Sequence, residues 1–168
     1  MKTINERLAA LRSQMNLHGL DAYIVPSSDP HQSEYVAERW QSRAWISGFT
    51  GSMGYVVVTP EHAGVWTDSR YFLQCETEIK NTHFVLHKQG VQGAPEHLDW
   101  LHENVPLSKK IGCDGSLFSV EQIRGMKRIF AKNFQWCKIF LRINFYAHHF
   151  QWMNNPFHWA FGERFVTN

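Results

Sequence analysis

Asp29, His31 and Glu34 fall within six positions of the stretch Asp29-Pro30-His31-Gln32-Ser33-Glu34-Tyr35. Two carboxylates and an imidazole are the donors of a divalent-metal site or of acid/base catalysis. A compact metallohydrolase would use these three, with Asp68 as a further ligand. Metal centres in α/β proteins draw ligands from several elements, however, and no matching second cluster accompanies a clear strand end here. The segment also has an architectural reading, with Asp29 as helix cap, Pro30 in the first helical position and Gln32 completing a capping box. We favour that reading.

Gly48, Gly51 and Gly54 recur every third residue, as in loops that cradle phosphate, but no Lys-Ser or Lys-Thr follows and a strand comes next. The glycines fit a tight loop that another backbone or a substrate approaches closely. Arg70 lies in the first turn of an expected helix, where the helix dipole disfavours a cation. A carboxylate from Asp68 or from a ligand would offset this through charge-assisted hydrogen bonds. A plain surface ion pair is the other reading. His148, His149 and His158 stand among aromatics, and adjacent histidines on a strand face opposite sides, a poor arrangement for joint ligation. The sequence contains no Gly-x-Ser-x-Gly elbow.

The elements that must position these groups alternate along the chain. Thr3 and Glu6 form a capping box, Ile4, Leu8, Leu11 and Met15 recur at a helical period, and Gly19 supplies a stop. The run 20–26 reads as a buried strand ending at Pro26. A short helix over 34–40, a strand over 43–49 and a hairpin of 55–59 with 63–67 follow, with Pro60 in the turn. Asp68 or Ser69 caps a helix that lines up Phe72, Cys75 or Glu76, and Ile79. A strand at 83–87, a helix at 96–105 closed by Pro106 and a strand at 110–115 come next. Ser119 and Gln122 box a last helix with Val120, Ile123, Met126, Ile129 and Phe130 on its apolar face. This alternation predicts the α/β class, a mixed β-sheet flanked by helices.

Residues 133–168 depart from the pattern, holding 11 of the 24 aromatic residues and four of the 32 charged ones. Exposed, such a segment invites aggregation; residues 136–143 could supply one strand. The chain otherwise has the size of one domain. Its formal charge of +2, with no block of Lys and Arg, does not suggest a nucleic-acid footprint. Cys75, Cys113 and Cys137 are widely spaced and read as reduced thiols. The N-terminal residues form a charged amphipathic helix, with neither a signal-peptide core nor a span, so a cytoplasmic location without membrane contact is expected.

Pro-Ser-x-Asp-x-His-x-Ser-Glu-Tyr from Pro26, Ser-Gly-Phe-x-Gly-Ser-x-Gly from Ser47 and Trp-Thr-Asp-x-Arg-Tyr-Phe-Leu-Gln from Trp66 occur in succession. Together they resemble the N-terminal, creatinase-like domain of the Xaa-Pro aminopeptidase P family, over roughly residues 5 to 132. The resemblance implies a ribonuclease-H-like layered fold that contributes to homodimers and shapes the mouth of an active site. It implies a parent enzyme that releases the residue preceding proline, using two metal ions, usually manganese, in a later pita-bread domain caged by two Asp, one His and two Glu residues. On this reading Arg70 touches the peptide substrate, the Gly48 to Gly54 loop and Asp68 support it, and this chain holds no metal. Met53 stands where the family usually has alanine. The expected continuation beyond residue 132 is not found in the tail, which suggests a truncated or frame-shifted product, inactive alone. A stand-alone peptide-binding or dimerisation module is the alternative.

Overall fold

A computed structural model describes residues 2–106 and 110–130, together with the backbone of 135–137. Helix α1 (Ile4–Leu17) opens on the expected capping box, with Thr3 accepting from the Glu6 amide and the Glu6 side chain accepting from the Thr3 amide. Strand β1 (Ala22–Pro26), α2 (Ser42–Ser47), β2 (Tyr55–Val58) and β3 (Ala63–Thr67) follow. Then come α3 (Phe72–Glu78), β4 (Val85–Lys88), α4 (His97–Asn104), β5 (Lys110–Cys113), α5 (Val120–Ile129) and β6 (Gln135–Cys137).

The strands form one six-stranded sheet in the order β4-β3-β2-β1-β5-β6. Pairings β3–β4, β1–β5 and β5–β6 are parallel, whereas β1–β2 and β2–β3 are antiparallel. Five strands therefore run one way and β2 alone runs against them.

Every residue of β1 and β3 is buried, so these strands are covered on both faces, and their alternate residues enter two cores. Tyr23, Val25, Val56, Val58 and Val65 pack with Leu8, Leu11 and Met15 of α1, Ile46 of α2 and Cys75 of α3. Ala22, Ile24, Val57, Trp66 and Ile111 pack on the other face with Leu101 of α4 and Met126 of α5. The result is the mixed α/β layering that the alternation of elements predicts. Burial pushes the thiols of Cys75 and Cys113 up to about 12, so both are protonated and unreactive at neutral pH.

Several expectations change. Residues 43–49, expected as a strand, lie largely in α2. Arg43, Ile46 and Ser47, spaced three and four apart, make its buried side, and Gly48 ends it in a left-handed conformation at φ 81°. The expected helix at 34–40 is only a 3₁₀ turn over Glu38–Trp40, without a side-chain cap. Asp29 caps no helix. Its carboxylate accepts from the amides of His31 (2.8 Å) and Ser33 (3.0 Å), and Gln32 sits at φ 54°, where a helix cannot continue. On α5, Val120 and Ile129 are exposed, and the packed face narrows to Ile123, Met126 and Phe130.

The helix expected to open on Asp68 or Ser69 instead begins at Phe72, after a 3₁₀ turn over Ser69–Tyr71 that Asp68 caps, and the other elements agree with the sequence reading, including the Ser119–Gln122 capping box. The expected strand at 136–143 is met at Trp136 and Cys137, within β6; its other residues lie outside the described ones, as do His148, His149 and His158.

Three histidines make the fold acid-sensitive. Burial pulls His87 and His97 down to about 4 from the ordinary 6.5. His62 is lowered as well, by burial and then by the nearby Arg12 guanidinium, while Asp99 pulls the other way on His97. Because these values are lower in the folded chain, the unfolded chain binds more protons between pH 6.5 and 4. Stability is complete above pH 6.5 and falls with pH through that window. We expect a loss of about 2 kcal/mol, discounted for partial solvent exposure, read as a falling urea midpoint between pH 7 and pH 4.

Candidate functional site

The reversed direction of β2 brings three distant motifs to one end of the sheet. There β1 ends at Pro26, β3 ends at Thr67, and β2 begins at Tyr55. Ser27–Tyr35, Gly48–Gly54 and Asp68–Arg70 therefore share the carboxyl end of the parallel strands, where open α/β sheets place their ligands. Side-chain bonds hold the three together. Ser27 donates to the Gly54 carbonyl (2.7 Å), Thr67 to the Met53 carbonyl (2.7 Å), and Ser52 and Tyr71 share a hydrogen bond of 2.7 Å. Ser28 and Gln32 both donate to the Leu117 carbonyl, fixing the Asp29 turn to the segment after β5.

Arg70 resolves the conflict between its charge and its position. Its Nε and Nη2 donate to the two oxygens of Asp68 at 2.9 and 2.7 Å, and its amide donates to Asp68 Oδ1 at 3.0 Å. Asp68 thereby caps the 3₁₀ turn Ser69–Tyr71 and orients the guanidinium at once. Hydrogen bonding to Arg70 lowers the Asp68 carboxyl, and the same bonds raise Arg70, so the pair stays ionised. The arginine side chain is 67% exposed, leaving a fixed cation with donors open to solvent.

The glycine loop is built for close approach. A Cβ on Gly51 would collide with the Phe49 ring and stand 2.9 Å from Tyr71 Cδ1, and one on Gly54 would stand 2.5 Å from the Trp66 carbonyl oxygen. No helix follows it, as expected, since β2 begins at Tyr55. The amide and hydroxyl of Thr50 donate to Glu78 at 2.8 and 2.6 Å, so α3 anchors the loop tip.

Arg43 is the residue that sequence reasoning missed. It is 5% exposed, donates through Nη1 to the Phe49 carbonyl (3.0 Å) and through Nη2 to the Gly51 carbonyl, and lies over the Phe49 ring at 4.6 Å. Burial lowers it to about 10, still well above neutral pH, so it remains cationic. An arginine six and eight residues before two glycine-loop carbonyls was the available signal, and the strand reading of 43–49 concealed it. A cleft of about 200 Å³ runs beside this clamp, lined among others by Ser27, Glu34, Tyr35, Trp40, Arg43 and Ser52.

The proposed metal ligands do not converge. Asp29 is buried and spends Oδ1 on two amides, while His31 and Glu34 are exposed. Among the described residues no group of three or more His, Cys, Asp or Glu side chains could hold a metal. The donors among the described residues do not fit a two-metal cage.

A mixed sheet covered by helices, with an arginine and a clamped glycine loop on its carboxyl rim, defines a creatinase/prolidase-type domain. The chain belongs to the family of creatinase/prolidase N-terminal domains, whose pattern matches residues 7–140. It is similar to aminopeptidase P2 of Arabidopsis thaliana, at 41% identity over 131 residues, which are 77% of this chain and 18% of that protein. To Xaa-Pro aminopeptidase 2 of Rattus norvegicus it is 47% identical over 114 residues, 68% of this chain and 16% of that protein. Both are matched over less than a fifth of their length.

Among solved structures, the X-prolyl aminopeptidase of Caenorhabditis elegans, described as a cytosolic enzyme with a di-nuclear active site, superposes with a TM-score of 0.77. It shares 35% identity over 83% of this chain and 24% of that one. The N-terminal, creatinase/prolidase-like domain of a metallopeptidase from Corynebacterium diphtheriae has the same fold, with a TM-score of 0.59, 18% identity, and coverage of 81% of this chain and 95% of that one. Among the described residues no helix is long and apolar enough to cross a membrane.

Proposed function

We propose that this chain is the non-catalytic N-terminal domain of an Xaa-Pro aminopeptidase, with residues 1–132 as the domain proper and Arg70 as its peptide-facing residue. The parent enzyme releases the N-terminal residue that precedes proline, in the cytoplasm, by two-metal hydrolysis with manganese or a similar ion. The domain supports dimerisation and shapes the entrance to the reacting centre. The observation that carries this reading is the exposed Arg70 guanidinium, held by Asp68 beside the clamped Gly48 to Gly54 loop. A fixed cation with open donors suits the carbonyls or carboxylate of a peptide. The metal chemistry belongs to residues other than those described here, and this domain contributes position and charge.

Two measurements test the reading. The chain alone, given manganese and an Xaa-Pro peptide, is expected to release no amino acid. In a full-length relative, alanine in place of the arginine aligned with Arg70 is expected to raise KM about tenfold, with a smaller effect on kcat, as for a charge-assisted hydrogen bond in partly exposed surroundings. Unchanged kinetics in that variant would remove Arg70 from the substrate.

A further inference from the structure

We propose that His62 and His87 form a two-imidazole site for a divalent transition-metal ion of the copper(II) class. The side chains come from the β2–β3 turn and from β4, and their Nε2 atoms stand 2.9 Å apart. Two nitrogens bound at about 2.0–2.1 Å and at a right angle to each other lie about 2.9 Å apart, so the spacing is that of neighbouring ligands around a tetragonal ion. Aromatic contacts restrict both rings, which face each other head-on with centroids 5.1 Å apart and must tilt to converge on an ion. His87 stacks on Trp66 at 3.8 Å with the planes 7° apart, and Trp100 packs 4.6 Å from the His62 ring. Gly64 makes the stack possible, because a Cβ there would collide with the Trp66 ring and stand 2.8 Å from His87 Cδ2.

Burial keeps both imidazoles neutral at pH 7, the form that binds metal. In the neutral pair one Nε2 carries the hydrogen that the other accepts. Binding requires that hydrogen to pass through solvent to Nδ1 of the same ring. No proton is released in total, and both Nε2 lone pairs become available as the rings tilt towards the ion. Neither ring is fully enclosed, so water can complete the coordination. Arg12, whose Nε donates to the Thr59 carbonyl at 3.0 Å, opposes a cation at His62 and limits the affinity. Magnesium and calcium, which require oxygen ligands, are excluded by the donor set. The inference stands independently of the peptidase reading.

The test is a copper(II) titration of the full chain followed by tryptophan emission and by electron paramagnetic resonance. His148, His149 and His158 are replaced by alanine in every sample so that they do not compete. One ion per chain is expected, with quenching of the adjacent tryptophans and a spectrum showing two equatorial nitrogens. His62→Gln and His87→Phe, which preserve hydrogen bonding and stacking respectively, are each expected to weaken binding at least tenfold, and Arg12→Gln to tighten it about threefold. Unchanged affinity and quenching in His62→Gln, or a spectrum with a single nitrogen, overturns the proposal. Should either histidine variant fail to fold, the nitrogen count in the histidine-paired protein decides alone.

Discussion

Replacing Arg43 with leucine is expected to lower the stability of the chain by about 3 kcal/mol, because two loop carbonyls lose their donors inside the protein. The Phe49 and Gly51 oxygens both accept from this one guanidinium, and Arg43 is 5% exposed, so water cannot take its place without opening the loop. Each stranded acceptor costs about 1–3 kcal/mol, and the stacking over Phe49 is lost besides. Relief from desolvating the cation offsets part of this. Leucine contributes apolar contact but no donor. Arg43→Lys is expected to restore less than half of the loss, since a single ammonium on a flexible stem cannot span both carbonyls as the planar guanidinium does. Urea unfolding measures both variants. A shift below about 0.5 kcal/mol for leucine would show that the carbonyls are satisfied in some other way.

Gly54→Ala carries an expected cost of similar size from a different source. Gly54 has φ 152°, and a Cβ there would meet the Trp66 carbonyl oxygen at 2.5 Å, a backbone atom fixed within β3. Strain and overpacking together are worth about 3 kcal/mol, equivalent to a fall of about 1.5 M in the urea midpoint. Gly19→Ala is the control. Its φ of 63° is also positive, but nothing lies within 4 Å of the added carbon, so it should cost about 1 kcal/mol. Equal losses at the two positions would mean that backbone conformation, and not the contact with β3, makes Gly54 irreplaceable.

Much of the framework was legible because local rules and the tertiary structure agree there. The boxes at Thr3–Glu6 and Ser119–Gln122 form as their spacing predicts, and the hairpin around Pro60 is where the turn chemistry puts it. Asp29 and Gln32 have the same spacing yet form no box. Gln32 instead turns its amide donor to the Asp29 and Leu117 carbonyls, and Leu117 is 85 residues away, a contact no local pattern encodes. Residues 43–49 failed for a related reason. Trp45 and Ile46 favour a strand intrinsically, but three buried positions and a left-handed Gly48 make one short helical turn the conformation that covers the core.

Within the site, the Asp68–Arg70 pairing was accessible from two residues and a dipole argument, whereas the role of Arg43 was not. The carbonyls it serves belong to backbone groups, which carry no identity in a sequence. Gly51 and Gly54 were recognisable as points of close approach, but not the surfaces that approach them, Phe49 with Tyr71 and the Trp66 carbonyl.

A single antiparallel ribbon within an otherwise unidirectional layer has a consequence for where variation is tolerated. Were Tyr55–Val58 to run with its neighbours, residues 48–54 would open at the far edge, separated from Ser27 and Tyr71 by a strand length of about 13 Å. Its orientation divides the molecule into one pole where the three motifs must keep their spacing and an opposite pole where the exposed Pro60 and Glu61 can change identity, while their flanks, Thr59 and His62, stay tied to each other and to Arg12.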